Sequence, residues 1–132
     1  MANEYAANTT MRSSLGRVRG LGSAKGGTHH WWMQRVTSVA LLPLTIWFAI
    51  SAATLAGAPY EVTLAWIAHP LNAVLLLATI ALTFHHIAAG IQVVIEDYAN
   101  QEWTKMSSIL VVKAICALLA IASALAVLRI AV

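Results

Sequence analysis

The chain has 132 residues, of which 60% are apolar and 10% are charged, and its mean hydropathy is +0.75. A soluble domain has about 25% charged and about 45–50% apolar residues. The composition therefore excludes an ordinary soluble domain, a disordered tail and a collagen-like fibre, and it indicates a membrane protein. Cys116 is the only cysteine, which excludes an intrachain disulfide bond and a cysteine-based metal site.

Three long apolar runs follow one another along the chain. No Asp, Glu, Lys or Arg lies between Arg35 and Glu61 or between Glu61 and Glu96, and a third apolar run follows Lys105. A transmembrane helix needs about 20 mostly apolar residues to cross about 30 Å of hydrocarbon. The sequence therefore predicts an all-α membrane protein with three transmembrane helices, at about residues 36–58, 70–95 and 107–130.

The basic residues predict the orientation of these helices. Lys105 follows the second helix, whereas the loop after the first helix contains Glu61 and no Lys or Arg. Most other basic residues precede the first helix: Arg12, Arg17, Arg19, Lys25 and Arg35. Because cytoplasmic loops are enriched in Lys and Arg, we expect a cytoplasmic N-terminus and a periplasmic C-terminus. Since topology accounts for the net charge of +3, the charge gives no indication of nucleic-acid binding.

Residues 1–28 differ in composition from the rest of the chain, since they are polar and contain five of the seven glycines. This predicts a flexible cytoplasmic arm at 1–28, in front of a three-helix membrane anchor domain at 29–132. The arm is also rich in Arg and nearly free of acidic residues, so a mitochondrial transit peptide is an alternative reading. Within the membrane domain, residues 61–68 are expected to form a short interfacial turn with Trp66 as its anchor.

The second apolar run ends in FHHIAAGIQVVIEDY, residues 84–98, which places ionisable groups inside a membrane helix. His86 and Asp97 are eleven residues apart, so they share a helix face to within about 20° and lie about 16 Å apart. Gly90 is on the same stripe and would let a flat group approach the backbone. A haem with an imidazole ligand fits this pattern. The alternatives are helix packing by the small residues and a histidine that only bonds a neighbouring helix.

A second polar segment, THHWWMQR at residues 28–35, precedes the first apolar run. The permanent charge of Arg35 could hold a haem propionate through paired hydrogen bonds. The alternative for Arg35 is snorkelling at the cytoplasmic interface. His29 and His30 could pair with a propionate or relay protons, or could be exposed residues without a role.

Two strings, GLGSAKGGTHHWWMQRVTSVAL and HHIAAGIQVVIEDY, resemble the small hydrophobic membrane anchor of bacterial succinate dehydrogenase, the D subunit, in its alphaproteobacterial form. The resemblance covers roughly residues 15–98. The family pattern in the second helix is a histidine, a glycine four residues later and an Asp-Tyr pair that begins eleven residues later. His86, Gly90, Asp97 and Tyr98 match this pattern one by one.

The resemblance implies an anchor subunit of succinate:ubiquinone oxidoreductase, a complex of electron transport and the tricarboxylic acid cycle. It implies one haem b shared with a second membrane anchor, the cytochrome b subunit, with an iron–sulfur subunit and a flavoprotein subunit docked on the cytoplasmic face. This chain would contact lipid, haem and ubiquinone, but not succinate, flavin or the iron–sulfur clusters. The implied location is the bacterial inner membrane, with the mitochondrial inner membrane as the alternative.

The resemblance also implies residue roles. His86 would supply one axial ligand to the haem iron, with the second from a partner. Gly90 would lie beside the haem, and Arg35 and His29 would lie near the propionates. The tyrosine of the family's Asp-Tyr pair hydrogen-bonds a quinone carbonyl, which implies this role for Tyr98. Asp97 could orient Tyr98, bind water or relay protons, and its alternative role is to cap an interfacial network with Arg35 or Lys105. Two alternatives stay open: the anchor of a quinol:fumarate reductase, and a structural membrane subunit without haem.

Overall fold

The computed structural model describes residues 27–132, and this part of the chain consists of four helices joined by short connections. In chain order its helices are α1 (Gly27–Leu55), α2 (Tyr60–Ala68), α3 (Pro70–Tyr98) and α4 (Glu102–Ala131). The helices α1, α3 and α4 are each long and apolar enough to cross a membrane. The prediction of three membrane-spanning helices is therefore confirmed. The predicted flexible arm lies outside the described residues, except for its last two positions, which belong to α1.

The long helices extend beyond their predicted ends on the side where charged residues cluster. α1 begins at Gly27 rather than at residue 36, α3 ends at Tyr98 rather than at 95, and α4 begins at Glu102 rather than at 107. The predicted bounds followed the apolar runs. The helical hydrogen-bond pattern continues past the apolar region, because Trp and Arg side chains can place their polar ends at the interface.

The opposite end of the bundle contains a helix that the sequence did not predict. Residues 61–68 were expected to form a turn, but they form most of α2. Gly57, with a φ of 82°, reverses the chain after α1 in a conformation that glycine adopts without strain. His69 then separates α2 from α3 in an extended conformation, as expected for the residue before Pro70. Pro70 is the first residue of α3, where its missing N–H costs nothing.

Two contacts hold α2 against the long helices. The Trp66 ring stacks on Trp47 of α1, with ring centroids 5.6 Å apart. Asn72 of α3 donates a side-chain hydrogen bond of 2.8 Å to the carbonyl oxygen of Trp66. The predicted interfacial anchor, Trp66, therefore also acts as a packing residue between helices.

Small and polar residues form the centre of the bundle, in which α3 packs against both α1 and α4. The buried positions of the described chain are Thr37, Ser51, Ala73, Leu76, Ala89 and Cys116. Lipid tails are as apolar as leucine, so membrane helices associate through close packing of small side chains and interhelical hydrogen bonds. Most large apolar side chains point outwards, where a membrane helix meets lipid or a partner subunit.

Candidate functional site

His86 of α3 points at α1 and forms the main polar contact between these two helices. Its Nδ1 lies 3.0 Å from Oγ1 of Thr37, and its Nε2 lies 3.4 Å from the amide nitrogen of Gln34. Interhelical hydrogen bonds in membranes contribute about 0.6 kcal/mol each on average. The histidine singled out from the sequence is therefore held by α1 on both ring nitrogens.

Gly90 lies beside this contact, one turn from His86. A Cβ atom at Gly90 would come within 3.3 Å of the Gln34 amide nitrogen, which is tighter than an ordinary contact. The other amide atom, Oε1 of Gln34, is buried and has no hydrogen-bond partner within the described chain. An unsatisfied buried acceptor of this kind costs about 1–3 kcal/mol. The Gln34 amide therefore fills the space between Gly90 and the Nε2 of His86, and one of its two polar atoms has no hydrogen-bond partner within the described chain.

His85 faces a different part of the bundle. It lines a groove of about 780 Å³ between α1, α3 and α4, together with His29 and His30 near the start of α1. The groove also contains Glu96 and Lys113. The two adjacent histidines are therefore separated: His86 joins α3 to α1, and His85 lies in the groove with His29.

Arg35 is exposed near the start of α1, and its guanidinium lies over the Trp31 ring, 4.2 Å from the ring centroid. The two residues are four positions apart, so they lie one turn apart on the same side of the helix. A cation over an aromatic face at an exposed site contributes about 0.5–1 kcal/mol. The contact places the permanent charge of Arg35 beside an indole that prefers the membrane interface.

Asp97 and Tyr98 are the last residues of α3, and both are exposed. The Tyr98 side chain is 82% exposed, so its hydroxyl is available to a ligand or a partner subunit. One turn earlier, Gln92 donates a 2.6 Å hydrogen bond to Glu96. The end of α3 therefore presents a carboxylate and a phenol outwards.

The fold brings these predicted residues to one end of the bundle, because α1 and α3 run in opposite directions. His29 and Arg35 belong to the first turns of α1, and Asp97 and Tyr98 belong to the last turn of α3. Within residues 27–132, no three His, Cys, Asp or Glu side chains lie close enough together to hold a metal ion.

Thr37 and Gln34 are site residues that sequence analysis did not identify. The sequence did contain a signal for them, since both are polar residues in or next to a membrane helix, and such side chains commonly hydrogen-bond to a neighbouring helix. Thr37 and Ser51, the two buried residues of α1, are also fourteen positions apart, which keeps them on one helix face. The pattern indicates the face of α1 that packs, but it does not identify His86 as the partner.

Comparison with known proteins places the chain in a family. The family model for the succinate dehydrogenase/fumarate reductase transmembrane subunit matches residues 9–122. The hydrophobic membrane anchor subunit of succinate dehydrogenase from Rickettsia conorii is 31% identical over 80% of this chain and 84% of its own. The corresponding subunit from Rickettsia prowazekii is 35% identical over 72% of this chain and 76% of its own.

A third relative has the same description. The succinate dehydrogenase hydrophobic membrane anchor subunit of Paracoccus denitrificans is 36% identical over 61% of this chain and 63% of its own. No solved structure is significantly similar to the chain. The resemblance inferred from the two sequence motifs is confirmed by these relatives and by the family match, which covers most of the chain. The chain therefore belongs to the family of transmembrane subunits of succinate dehydrogenase and fumarate reductase.

Proposed function

We propose that this multi-pass membrane protein is the anchor subunit of a succinate:ubiquinone oxidoreductase in the bacterial inner membrane. In this proposal His86 supplies one axial ligand to a haem b shared with a second membrane anchor, and the end of α3 forms part of the ubiquinone site. The iron–sulfur and flavoprotein subunits dock on the membrane face at which α3 ends. The observation that carries the proposal is an arrangement along two antiparallel helices: α1 holds the ring of His86 within the bundle, and Arg35 and the exposed Asp97–Tyr98 pair lie at one end.

The residues around His86 would fit a haem if the Gln34 amide, which fills the space beside Gly90, turned away. Gly90 leaves the space next to the backbone free of a side chain, and the flexible Gln34 amide is the group that lies there. The unsatisfied oxygen of that amide shows that the polar atoms here are not fully matched within the described chain. Bound haem would supply one-electron redox chemistry. The other ligand would come from a partner, because His29 and His30 lie at the start of α1 and His69 lies at the opposite end of the bundle.

Tyr98 and Asp97 have the chemistry that a quinone headgroup requires. A phenol hydroxyl donates one hydrogen bond, and such a bond strengthens as negative charge develops on a quinone oxygen during reduction. Asp97 can orient Tyr98 or pass protons from the aqueous phase. Their exposure at the end of α3 supports a site shared with other subunits.

The distribution of charge supports an orientation with the N-terminus in the cytoplasm and the C-terminus in the periplasm. The start of α1 and the start of α4 lie at the same end of the bundle and are associated with Arg35 and Lys105. The opposite end has Arg129 as its basic residue and Glu61 at the start of α2. Because Lys and Arg accumulate in cytoplasmic segments, the first end is cytoplasmic.

A quinol:fumarate reductase anchor is the second candidate, since the family description includes both enzymes. The relatives named above are subunits of succinate dehydrogenase, which favours the first candidate. We expect the complex purified through a tag on this chain to show the optical spectrum of a b-type haem and to reduce ubiquinone with succinate. Fumarate reduction by quinol that is faster than succinate oxidation would support the second candidate. A complex with quinone reductase activity and no haem spectrum would contradict the role given to His86.

We expect Arg35 to lie near a haem propionate. Replacing Arg35 with Gln removes a permanent cation, and because a nearby cation favours the reduced haem, the haem potential should fall. Redox titration of the haem spectrum measures the change. Lys113→Gln is the control, because Lys113 is exposed in the groove with His85. Equal shifts in the two variants would show that Arg35 acts only through the general charge of the membrane surface.

A further inference from the structure

Thr37 of α1 is 2% exposed and contacts His86 of α3. Its hydroxyl oxygen is close to three polar atoms: 2.8 Å from the carbonyl oxygen of Met33, 3.1 Å from that of Gln34, and 3.0 Å from Nδ1 of His86. The first two are ordinary bonds within the helix. The third crosses to the histidine that the proposed function makes an iron ligand.

The protons in this cluster can be assigned from the distances. Two oxygen atoms 2.8 Å apart need a proton between them, so the Thr37 hydroxyl donates to the Met33 carbonyl. The hydroxyl has only one proton, so towards His86 it can offer only a lone pair. The Nδ1 of His86 therefore carries the hydrogen and donates to Thr37. In a neutral imidazole, this leaves the lone pair on Nε2.

Gln34 gives an independent observation that agrees with this tautomer. Its amide nitrogen can only donate, and it lies 3.4 Å from Nε2 of His86. The same amide nitrogen also lies 3.5 Å from the backbone carbonyl oxygen of His86, to which it donates. A donor beside Nε2 is consistent with a lone pair on that atom, which is the one left unprotonated by the bond to Thr37. The His86 ring is thus held with a donor side towards Thr37 and an acceptor side towards Gln34.

We infer that Thr37 is a positioning residue for haem ligation, an inference that rests on the proposed function of His86. By accepting the Nδ1 hydrogen, Thr37 fixes the tautomer and the ring plane, so that Nε2 presents its lone pair to iron. The Gln34 amide now lies against that lone pair, so its side chain would have to turn away for iron to reach Nε2. Thr37 acts through His86 and has no contact of its own with the iron.

The inference has a redox consequence. A histidine that donates its second ring hydrogen to an acceptor is a more basic ligand, and a more basic ligand favours ferric iron. Loss of the Thr37 hydroxyl should therefore raise the haem potential. Loss of an outer partner also lowers the metal affinity of a ligating histidine by about 10–100-fold. A residue that only packs between α1 and α3 would change neither the potential nor the ligand field of the iron.

The test compares variants of Thr37 in the whole purified complex. Thr37→Val keeps the branched shape and removes the hydroxyl, and Thr37→Ser keeps the hydroxyl. Thr45→Val is a matched control, because Thr45 in α1 makes the same two bonds to carbonyls of its own helix, at 2.8 and 3.1 Å, but is exposed. The measurements are the haem midpoint potential, the low-spin haem signal in electron paramagnetic resonance, and the ratio of haem to flavin.

We expect Thr37→Val to raise the potential and change the low-spin signal, with Thr37→Ser and Thr45→Val close to wild type. If Thr37→Val loses haem instead, retention by Thr37→Ser and Thr45→Val supports the inference in the same way. A wild-type potential and signal in Thr37→Val would overturn it. Equal effects in Thr45→Val, or haem loss in Thr37→Ser, would also overturn it, because the hydroxyl of Thr37 would then not be the cause.

Adding His86→Ala to the same set of measurements separates this inference from the proposed function. His86→Ala that keeps an unchanged haem spectrum shows that His86 is not the ligand, and the proposed function then fails. His86→Ala that loses haem, together with a wild-type Thr37→Val, leaves the ligand assignment intact and removes only the role of Thr37.

Discussion

Replacing His86 with Ala is expected to remove haem b from the purified complex, or to shift its spectrum to that of a haem with one protein ligand. The reason is that His86, one turn from Gly90 on α3, is the histidine whose ring is held by the neighbouring helix α1. Optical and haemochrome spectra, normalised to flavin, measure the result. Flavin in the membrane fraction shows whether the complex still assembles, since the variant also removes a bond between α1 and α3.

His85→Ala is the matched control for this prediction. His85 is adjacent in sequence, but it lies in the groove with His29 rather than against Thr37. We expect His85→Ala to keep its haem. The opposite pattern, with haem lost from His85→Ala and kept in His86→Ala, would move the ligand to the groove. Gly90→Leu should also lower haem content, because the leucine side chain would fill the space beside His86 that the Gln34 amide occupies now and that a haem would need.

Replacing Tyr98 with Phe is expected to slow ubiquinone reduction on the order of a hundredfold. The change keeps the ring and removes only the hydroxyl, which is the proposed donor to the quinone oxygen. Loss of one donor to a developing oxyanion costs about 2.7–4 kcal/mol, which corresponds to this factor when chemistry limits the rate. Steady-state reduction of a soluble ubiquinone by succinate measures it.

Two readouts test whether the effect of Tyr98→Phe is confined to the quinone site. Succinate oxidation with a water-soluble artificial acceptor should stay near wild type, because that electron path ends before the quinone. Haem content should also be unchanged, since Tyr98 is at the end of α3 and about 100° around the helix from Asp97. Quinone reduction at the wild-type rate would show that Tyr98 is not a quinone ligand.

The sequence by itself determined the three membrane helices and the start of α3. A backbone in hydrocarbon must satisfy its hydrogen bonds internally, so long charge-free runs form helices. Pro70 favours a helix start, because a proline in the first turn leaves no helical hydrogen bond unmade. The sequence also determined that His86, Gly90 and Asp97 share a stripe of α3, since this follows from helix geometry alone. It did not determine that 61–68 is a helix, because that segment is short and its order depends on the contacts of Trp66.

Only the tertiary structure decided which neighbour the polar stripe of α3 meets. In a soluble helix the apolar face identifies the side that packs, but lipid is as apolar as a packed interface, so hydropathy carries no such signal here. The packing of α1 against α3 places Thr37 and Gln34 on the two nitrogens of His86, although they are about fifty residues away in the chain. The same packing turns His85 into the groove beside α4. The roles of two adjacent histidines were therefore decided by which helices surround them.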